Sequence, residues 1–271
     1  MKILAVGDPH GDLKKIKKIS TKGVELILIT GDLGKADFVR KFFFDNLKRK
    51  GKGLPEKEYT KIETKKVYSE VHNSTINVLK YFSKSVLTYS ILGNVGVNMI
   101  KDSKVKKDEK KYRIKLSSLK KALKNLKNFY LARNVIRNVK GLRIGFLEYF
   151  LDDCWVIEFK PKDYKEKLKD AKKETAKAKR ILKRFGKVDM LVCHQPPYGY
   201  LDKVSSKYNP PKKWVGKYAG SKVILDYIKK CQPKYVFCGH IHEGEGKAKI
   251  GKSEIYNLGV AGHKLIELSS K

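Results

Sequence analysis

Potential metal ligands occur in five short segments of the 271-residue chain, and each segment directly follows an apolar run. The five segments are Gly7-Asp8-Pro9-His10-Gly11-Asp12, Gly31-Asp32-Leu33-Gly34, Gly93-Asn94-Val95-Gly96, His194-Gln195-Pro196-Pro197 and Gly239-His240-Ile241-His242-Glu243. They offer carboxylate, imidazole and amide donors without a thiolate, a set that suits Mn, Fe, Zn or Ni rather than a structural zinc site. The segments therefore predict a transition-metal site.

Some of these side chains also have a purely structural interpretation. Asp8 or Asp12 could cap the helix that follows them, and Asn94 could be a turn residue. We assign the capping role to Asp12. The metal interpretation is favoured elsewhere, because four of the six histidines of the chain lie in the five segments. We expect structural roles for His72, at the boundary of an apolar helix face, and for His263, just before the last strand.

The apolar runs that precede the segments predict the strands that position them. These runs cover residues 2–7, 24–31, 86–93, 188–194 and 234–240. They lack alternation of apolar and polar residues, which is typical of strands buried on both faces. Because sites in open α/β sheets form at the carboxyl ends of strands, we expect the five segments to converge on one crevice.

Amphipathic helices and two hairpins complete the predicted elements. Apolar residues recur every three or four positions over 57–83 and 163–185, as on one face of a helix. Lys140-Gly141 and Gly251-Lys252 are predicted hairpin turns, and the apolar run 154–159 is predicted to be a further strand. Together these elements predict an α/β fold with mixed sheets and external helices.

A single domain is expected for residues 1–271, with Lys-rich helical insertions around 48–83, 101–127 and 160–187. The chain has 62 Lys and Arg against 28 Asp and Glu, a net charge of +34, yet 41% of its residues are apolar. That apolar fraction excludes a disordered polyelectrolyte. Since 54 of the basic residues are Lys and only 8 are Arg, the charge is weak evidence for nucleic-acid binding. A polyanion partner and a general Lys bias both stay open.

No run of 18 apolar residues predicts a membrane span, and no apolar signal-peptide region precedes Asp8. The four cysteines are far apart and lack CxxC spacing, which argues against a zinc knuckle and against a disulfide scaffold. We therefore expect a soluble, cytoplasmic protein without a membrane partner.

The order of the ligand segments resembles the signature of the calcineurin-like metallophosphoesterase superfamily. The matching parts are DxH from Asp8 to His10, GD at Gly31-Asp32, GN at Gly93-Asn94, the single His194 and GHxH from Gly239 to His242. The stretches HQPPYG and GHIHE also resemble a subgroup of small members. The resemblance implies a four-layer α-β-β-α sandwich, in which two mixed sheets are flanked by helices and a binuclear metal centre lies at the sheet edge.

The resemblance also implies the ligands of two divalent transition-metal ions, Mn foremost and otherwise Fe, Zn or Ni. The first ion would be held by Asp8, His10, Asp32 and His242, and the second by Asp32, Asn94, His194 and His240. Asp32 would bridge the ions, and Asp32, Asn94 and His194 would be the catalytic residues. Two ions about 3.5–4 Å apart stabilise the attacking and leaving oxygens of an in-line displacement and turn a bridging water into hydroxide. The implied reaction is phosphoester hydrolysis.

The third ligand segment departs from the family's pattern. Most hydrolases of the family carry GNH followed by Asp or Glu there, and the histidine protonates the leaving group. Val95 and Gly96 stand at those two positions in this chain. Since general acid catalysis contributes roughly 10²–10⁴-fold, we expect slow turnover of poor leaving groups. Metal binding through Asn94 is expected to survive.

Segment 196–220, directly after His194, combines aromatic and basic side chains. It contains Tyr198, Tyr200, Tyr208, Trp214 and Tyr218 among Lys203, Lys207, Lys212, Lys213 and Lys217. Aromatic rings among positive charges suit nucleotides and single strands, whereas a loop packed by its own rings is the alternative. We predict substrate contacts from Tyr198, Lys203 and Lys207.

The predicted function is hydrolysis of a nucleotide-like or nucleic-acid phosphodiester. The alternative is a metal-binding scaffold or regulatory protein with reduced or no turnover, which the missing histidine favours and the retention of every ligand opposes. A third hypothesis is a nuclease like the double-strand-break repair subunit of the superfamily. The segment after His242 is too short for the capping domain of that protein, which opposes the nuclease hypothesis.

Overall fold

Two β-sheets pack face to face in the computed structural model, which describes residues 1–84, 86–95, 97–208 and 210–268. The strands are β1 (Lys2–Val6), β2 (Leu26–Ile29), β3 (Leu87–Ser90), β4 (Phe129–Leu131), β5 (Val135–Val139), β6 (Leu142–Leu147), β7 (Met190–Cys193), β8 (Tyr235–Cys238), β9 (Gly246–Ile250), β10 (Ser253–Asn257) and β11 (His263–Glu267). The α-helices are α1 (Leu13–Ile16), α2 (Asp37–Gly51), α3 (Lys61–Ser83), α4 (Asp102–Tyr112), α5 (Leu119–Lys124), α6 (Asp153–Phe159), α7 (Tyr164–Phe185) and α8 (Lys222–Cys231).

Both sheets are mixed, and each has a parallel centre. The first has the order β11-β1-β2-β3-β4, in which only the pairing of β11 with β1 is antiparallel. The second has the order β5-β6-β7-β8-β10-β9, in which the outermost strands β5 and β9 pair antiparallel with their neighbours. The predicted architecture of two mixed sheets flanked by helices is confirmed.

Apolar side chains fill three layers, one between the sheets and one on the outer face of each sheet. Ile3 and Phe146, from different sheets, lie in the core between them. Leu4, the neighbour of Ile3, points to the opposite face and packs with Phe82 of α3. On the far side, α7 and α8 cover the second sheet. Strands buried on both faces need apolar residues at every position, which explains the continuous apolar runs.

Helix ends and hairpins follow their local sequence. The Asp12 side chain accepts a hydrogen bond from the Lys15 N–H and caps α1, as predicted. Thr60 and Glu63 form a reciprocal capping box at the start of α3. The predicted turns at Lys140-Gly141 and Gly251-Lys252 join β5 to β6 and β9 to β10.

One sequence prediction needs correction, and helix α2 was not predicted. Residues 154–159 are not a strand but form most of α6, because the Asp152 carboxylate caps the Cys154 N–H and begins a helix there. This six-residue run, apolar except for Glu158, fits either structure by periodicity alone. The sequence predicts no helix at α2, of which only the last four residues fall within the Lys-rich segment 48–83.

The remaining Lys-rich segments contain α3, α4, α5 and most of α7. Their status as insertions into a single domain stays a prediction. Within the described part of the chain, no helix is both long and apolar enough to cross a membrane.

Replacing a core phenylalanine is expected to cost far more stability than replacing one on α2. Phe146 is 0% exposed between the sheets, whereas Phe43 on α2 is 50% exposed. We expect Phe146→Ala to lower the free energy of unfolding by about 3–5 kcal/mol. The matched variant Phe43→Ala is expected to change it by less than about 1 kcal/mol. Urea denaturation measures both values, and equal losses would contradict this description of the core.

Candidate metal centre

All five ligand segments meet at the carboxyl edge of the two sheets. Asp8, Asp32 and Asn94 follow β1, β2 and β3 of the first sheet, whereas His194 and His240 follow β7 and β8 of the second. Main-chain hydrogen bonds hold the segments together: His10 N–H donates to the Asp32 carbonyl, and Gly239 N–H donates to the His194 carbonyl. The predicted convergence on one crevice is what the structure shows.

The first group of predicted ligands surrounds Asp8. Its Oδ2 lies 3.2 Å from Nε2 of His242, which lies 3.3 Å from Nε2 of His10. The ligand atoms of these three residues all lie within 4.8 Å of one another. Nε2 of His10 also lies 3.8 Å from Oδ2 of Asp32. All four residues predicted for the first ion are therefore adjacent.

The second group converges on the amide oxygen of Asn94. Its Oδ1 lies 2.8 Å from Nε2 of His194 and 3.0 Å from Nδ1 of His240. Nε2 of His194 is also 3.6 Å from Oδ2 of Asp32. These are the four residues predicted for the second ion.

The two oxygens of the Asp32 carboxylate make different contacts: one accepts main-chain hydrogen bonds, and the other faces both ligand groups. Oδ1 accepts hydrogen bonds from the main-chain N–H groups of Asn94, at 2.8 Å, and Val95, at 2.7 Å. Oδ2 faces the imidazoles of His10 and His194, one from each group. A carboxylate oxygen between two ligand groups is suited to bridge two cations.

Thr30, which the sequence prediction missed, orients one ligand of each group. Its hydroxyl donates a 2.7 Å hydrogen bond to Oδ1 of Asp8. Its carbonyl oxygen lies 2.9 Å from Nδ1 of His194. Because a carbonyl oxygen only accepts, Nδ1 carries a proton and Nε2 is left to face the ligands, the usual arrangement of a metal-binding histidine. The only sequence signal was its position at the end of the strand run before Gly31-Asp32.

The backbone at the centre is strained and closely packed. His10, Asp32 and His240 have φ angles of 43°, 39° and 65°, in the left-handed region that residues other than glycine seldom adopt. A Cβ at Gly93 would lie 2.4 Å from Oδ1 of Asp32, and one at Gly239 would lie 2.4 Å from Oδ1 of Asp8. Glycine at these two positions lets the main chain approach the carboxylates.

Buried charges shift the acidity of the ligands in opposite directions. Burial raises the pKa of Asp8 and Asp32, but the neighbouring histidines, with His194 foremost, together attract and hydrogen-bond the charged carboxylates and hold the pKa of both below the usual value. Burial lowers the pKa of His194, but the charges of Asp32 and Asp8 raise it overall to about 9. For His240, burial and repulsion from His194 lower the pKa to about 3. Burial likewise lowers the pKa of His10.

The donor set fits two divalent ions. Each group combines imidazole nitrogens with carboxylate oxygens, and the second adds an amide oxygen, which suits transition metals in open sites. Thiolates are excluded at the adjacent strand ends, because burial raises the pKa of Cys193 and Cys238 and keeps them as thiols. The number and identity of the ions stay predictions from the sequence.

A cavity of about 500 Å³ opens above the ligands. Val95, which stands at the general-acid position, lines it, whereas Gly96 lies outside the described residues. Tyr149 also lines it, with its ring centroid 5.3 Å from that of His240. Val95 therefore supplies an apolar wall where the family carries an acid, and Tyr149 lines the same cavity.

Arg40 of α2 also lines this cavity, and the sequence prediction missed it. Its guanidinium lies 4.8 Å from the ring centroid of Tyr208, and that ring is 6.0 Å from the ring of His242. A permanent cation thus lies beside the ligands. Arg40 and Tyr208 are 168 positions apart in sequence, and no local pattern connects them.

The predicted substrate residues lie in the loop after His194 but are not among the residues that line this cavity. Tyr198 packs against Tyr218 at 5.6 Å between centroids, and Lys203 pairs with Tyr218 through the main chain. The Lys207 ammonium lies 5.4 Å from the ring of Tyr208, which does line it. The loop is partly packed by its own rings, and substrate contact by Tyr198, Lys203 and Lys207 stays a prediction.

The sequence matches the family described as calcineurin-like phosphoesterases over residues 1–244. Twenty-five chains of solved structures are also similar to this chain. One of them, from a crystal structure, has a TM-score of 0.52 and 16% sequence identity, and the match covers 99% of both chains. At that identity the likeness concerns the fold alone. No curated protein matches the chain.

Metal binding is expected to release a proton from His194. Its pKa of about 9 keeps the imidazole protonated at pH 7.5 in metal-free protein, and a metal needs the Nε2 lone pair. We expect about one proton per chain from this residue, and an Mn affinity that falls as the pH drops further below 9. Calorimetric titration in Hepes and in Tris measures the release through the buffers' ionisation enthalpies.

His72→Asn, outside the centre, is the control and is expected to leave the proton release unchanged. Identical binding enthalpies in the two buffers at pH 7.5 would contradict the assignment of His194 as a protonated ligand.

Proposed function

Because this chain belongs to the calcineurin-like phosphoesterase family, we propose that it hydrolyses phosphodiesters at a centre of two divalent metal ions, Mn foremost. The proposed substrate is a nucleotide-like or nucleic-acid phosphodiester. The products are a phosphomonoester and an alcohol: a bond forms between phosphorus and a water oxygen, and the bond from phosphorus to the leaving oxygen breaks.

The observation that carries this proposal is the position of the Asp32 carboxylate. One oxygen is fixed by two main-chain N–H donors, and the other faces histidines of both ligand groups. A carboxylate that is fixed in this way would hold two cations at a defined separation, which two-metal hydrolysis requires. When bound, such ions polarise the phosphoryl oxygens and lower the pKa of a water ligand.

The chain's own groups would bind and orient the substrate. The guanidinium of Arg40 beside the ligands attracts the phosphodiester anion and opposes the charge that develops on the phosphoryl oxygens. Tyr208 and Tyr149 present aromatic surfaces to the same cavity, which supports a planar group next to the phosphate. Thr30 and the N–H groups of Asn94 and Val95 hold the ligands rigid during turnover.

Proton donation to the leaving group is the weak part of this arrangement. Val95 has no proton to give, so the leaving oxygen departs as an anion or takes a proton from another group. Leaving groups that are stable as anions are favoured by such a site. Tyr149 on the cavity wall is one alternative donor, and burial raises the pKa of its hydroxyl, so that it stays protonated.

We expect turnover to depend on the bridging carboxylate and on both ions. Asp32→Ala is expected to lower Mn-dependent hydrolysis of bis-p-nitrophenyl phosphate by more than about 100-fold, because both ligand groups lose a shared donor. Val95→Ala is the matched control, since its main-chain N–H still reaches Asp32. Initial rates at saturating Mn measure both, and equal activity in the two variants would contradict the proposal.

We expect kcat to depend steeply on the pKa of the leaving group. Across a series of aryl methyl phosphodiesters, kcat of the wild type should fall as the pKa of the leaving phenol rises. Val95→His should raise kcat for the least acidic phenol by at least about 10-fold and barely change it for nitrophenol.

A shallow dependence in the wild type would mean that another group protonates the leaving oxygen. If the Tyr149 hydroxyl is that donor, Tyr149→Phe would make kcat fall more steeply as the pKa of the leaving phenol rises.

The missing histidine favours one second candidate, a metal-binding scaffold without turnover. Retention of all seven predicted ligands in one crevice opposes it. Metal analysis of protein purified with added Mn separates the two functions. About two ions per chain together with phosphodiesterase activity support the enzyme, whereas ions without activity on any diester support the scaffold.

A further inference from the structure

Helix α2 carries large apolar side chains that the protein buries only in part. Its sequence contains Phe38, Phe42, Phe43, Phe44 and Leu47, yet none of its residues is buried. Phe43 alone leaves 50% of its surface exposed. A helix with four phenylalanines normally packs these side chains against a core. Phe38 and Phe42 stack on Tyr59, whereas the side of the helix with Phe43, Phe44 and Leu47, here called the α2 face, is in part available to a ligand.

This face forms the wall between two neighbouring cavities. The inner cavity, of about 500 Å³, contains the metal ligands His10, Asp32, His240 and His242. The outer cavity, of about 640 Å³, extends away from them towards Gly51 and Pro161. The residues that line both are Val39, Phe43, Phe44, Lys167, Pro210 and Trp214. Each volume is in the range of small-molecule sites.

Several polar side chains of the outer cavity are already bonded within the protein. Both ends of the Asn46 amide bond to the main chain of Lys57, at 2.9 Å each. Asp163 pairs with Lys50 at 3.6 Å and with Lys167 at 3.3 Å. A base edge or a sugar would need free donors and acceptors here.

The surface that the outer cavity offers to a ligand is hydrocarbon. It comes from Phe42, Phe43 and Leu47 of α2 together with Pro211 and Trp214 of the facing loop. Burial of a methylene group on such a surface is worth roughly a fourfold gain in affinity. Exposed lysines such as Lys48 and Lys213 at this cavity add positive charge, which suits an anionic amphiphile.

We propose that the outer cavity binds a long alkyl or prenyl chain of the substrate, whose phosphodiester group lies at the metal ligands in the inner cavity. This inference rests on the proposed function. It assigns an apolar chain to one of the two ester groups and leaves the other ester group open to the nucleotide-like part. The substrate class is a phosphodiester amphiphile.

Two diesters with the same leaving group test this assignment. We expect kcat/KM for 4-nitrophenyl dodecyl phosphate to exceed that for 4-nitrophenyl methyl phosphate by at least about 10-fold, because several methylenes leave water. Leu47→Asp places a charge in the outer cavity only and should bring the ratio towards one. Ile62→Asp on α3, a site that is 78% exposed, is the matched control and should keep the wild-type ratio.

A binding measurement separates this inference from the proposed function. Calorimetry with dodecyl phosphate and with ethyl phosphate on the Asp32→Ala variant requires no turnover. We expect the dodecyl compound to bind at least about 10-fold more tightly, and Leu47→Asp to remove the difference. Tighter binding of dodecyl phosphate, together with no hydrolysis of either diester by the wild-type protein, would refute the proposed function and support the cavity assignment.

Equal kcat/KM values for the two diesters together with equal binding of the two phosphates would overturn the cavity assignment and leave the proposed function standing. All titrations are run below the micelle concentration of the dodecyl compounds. The higher kcat/KM or affinity of the dodecyl compounds could appear only above that concentration, or only on phosphatidylglycerol vesicles. Such a result would mean that the α2 face docks on a lipid surface, and it would also overturn the assignment. Thermal unfolding of Leu47→Asp verifies that the variant is folded.

Discussion

Two carboxylates buried between the ends of the sheets set the geometry of the whole centre. Asp8 is 0% and Asp32 3% exposed, and a buried charge without partners costs several kcal/mol. Asp8 is compensated by the Thr30 hydroxyl and the His240 N–H, whereas Asp32 is compensated by two N–H groups of the third segment. These donors come from both sheets. The carboxylates are therefore stable only when the strand ends that carry these donors are in place, so that the fold and the site form together.

The same requirement explains how much of the site could be predicted from the sequence. Buried parallel strands are continuous apolar runs, and the residue after each run lies at the carboxyl edge, so the positions of Asp8, Asp32 and His194 could be read from the sequence. Local patterns failed where two structures fit one run: 154–159 is apolar enough for a strand, but the Asp152 cap makes it a helix. The role of Arg40 could not be predicted from the sequence, because its contact with Tyr208 depends on the tertiary arrangement of a helix and a distant loop.

Charge and apolar surface are distributed differently around the centre. At the ligands, two carboxylates raise the pKa of His194, whereas burial and repulsion from His194 lower that of His240 to about 3. Helix α2 contributes both a cation, Arg40, and an unburied aromatic face to the space above them. Much of the chain's large positive charge lies on exposed lysines of peripheral helices such as α4 and α7, which need no ligand to be stable in water. Overall charge is thus a poor guide to the substrate, and the composition of the cavity walls is a better one.

The main-chain support of Asp32 has a consequence for the evolution of this site. The donors are the N–H groups of Asn94 and Val95, and any residue except proline supplies an N–H at position 95. The side chain at this position can therefore change without disturbing the carboxylate that it supports. Proton donation to the leaving group and construction of the ligand shell are separable traits, and selection can act on the first without loss of the second. A lineage in which substrates leave easily as anions can lose its acid at this position and keep an intact centre.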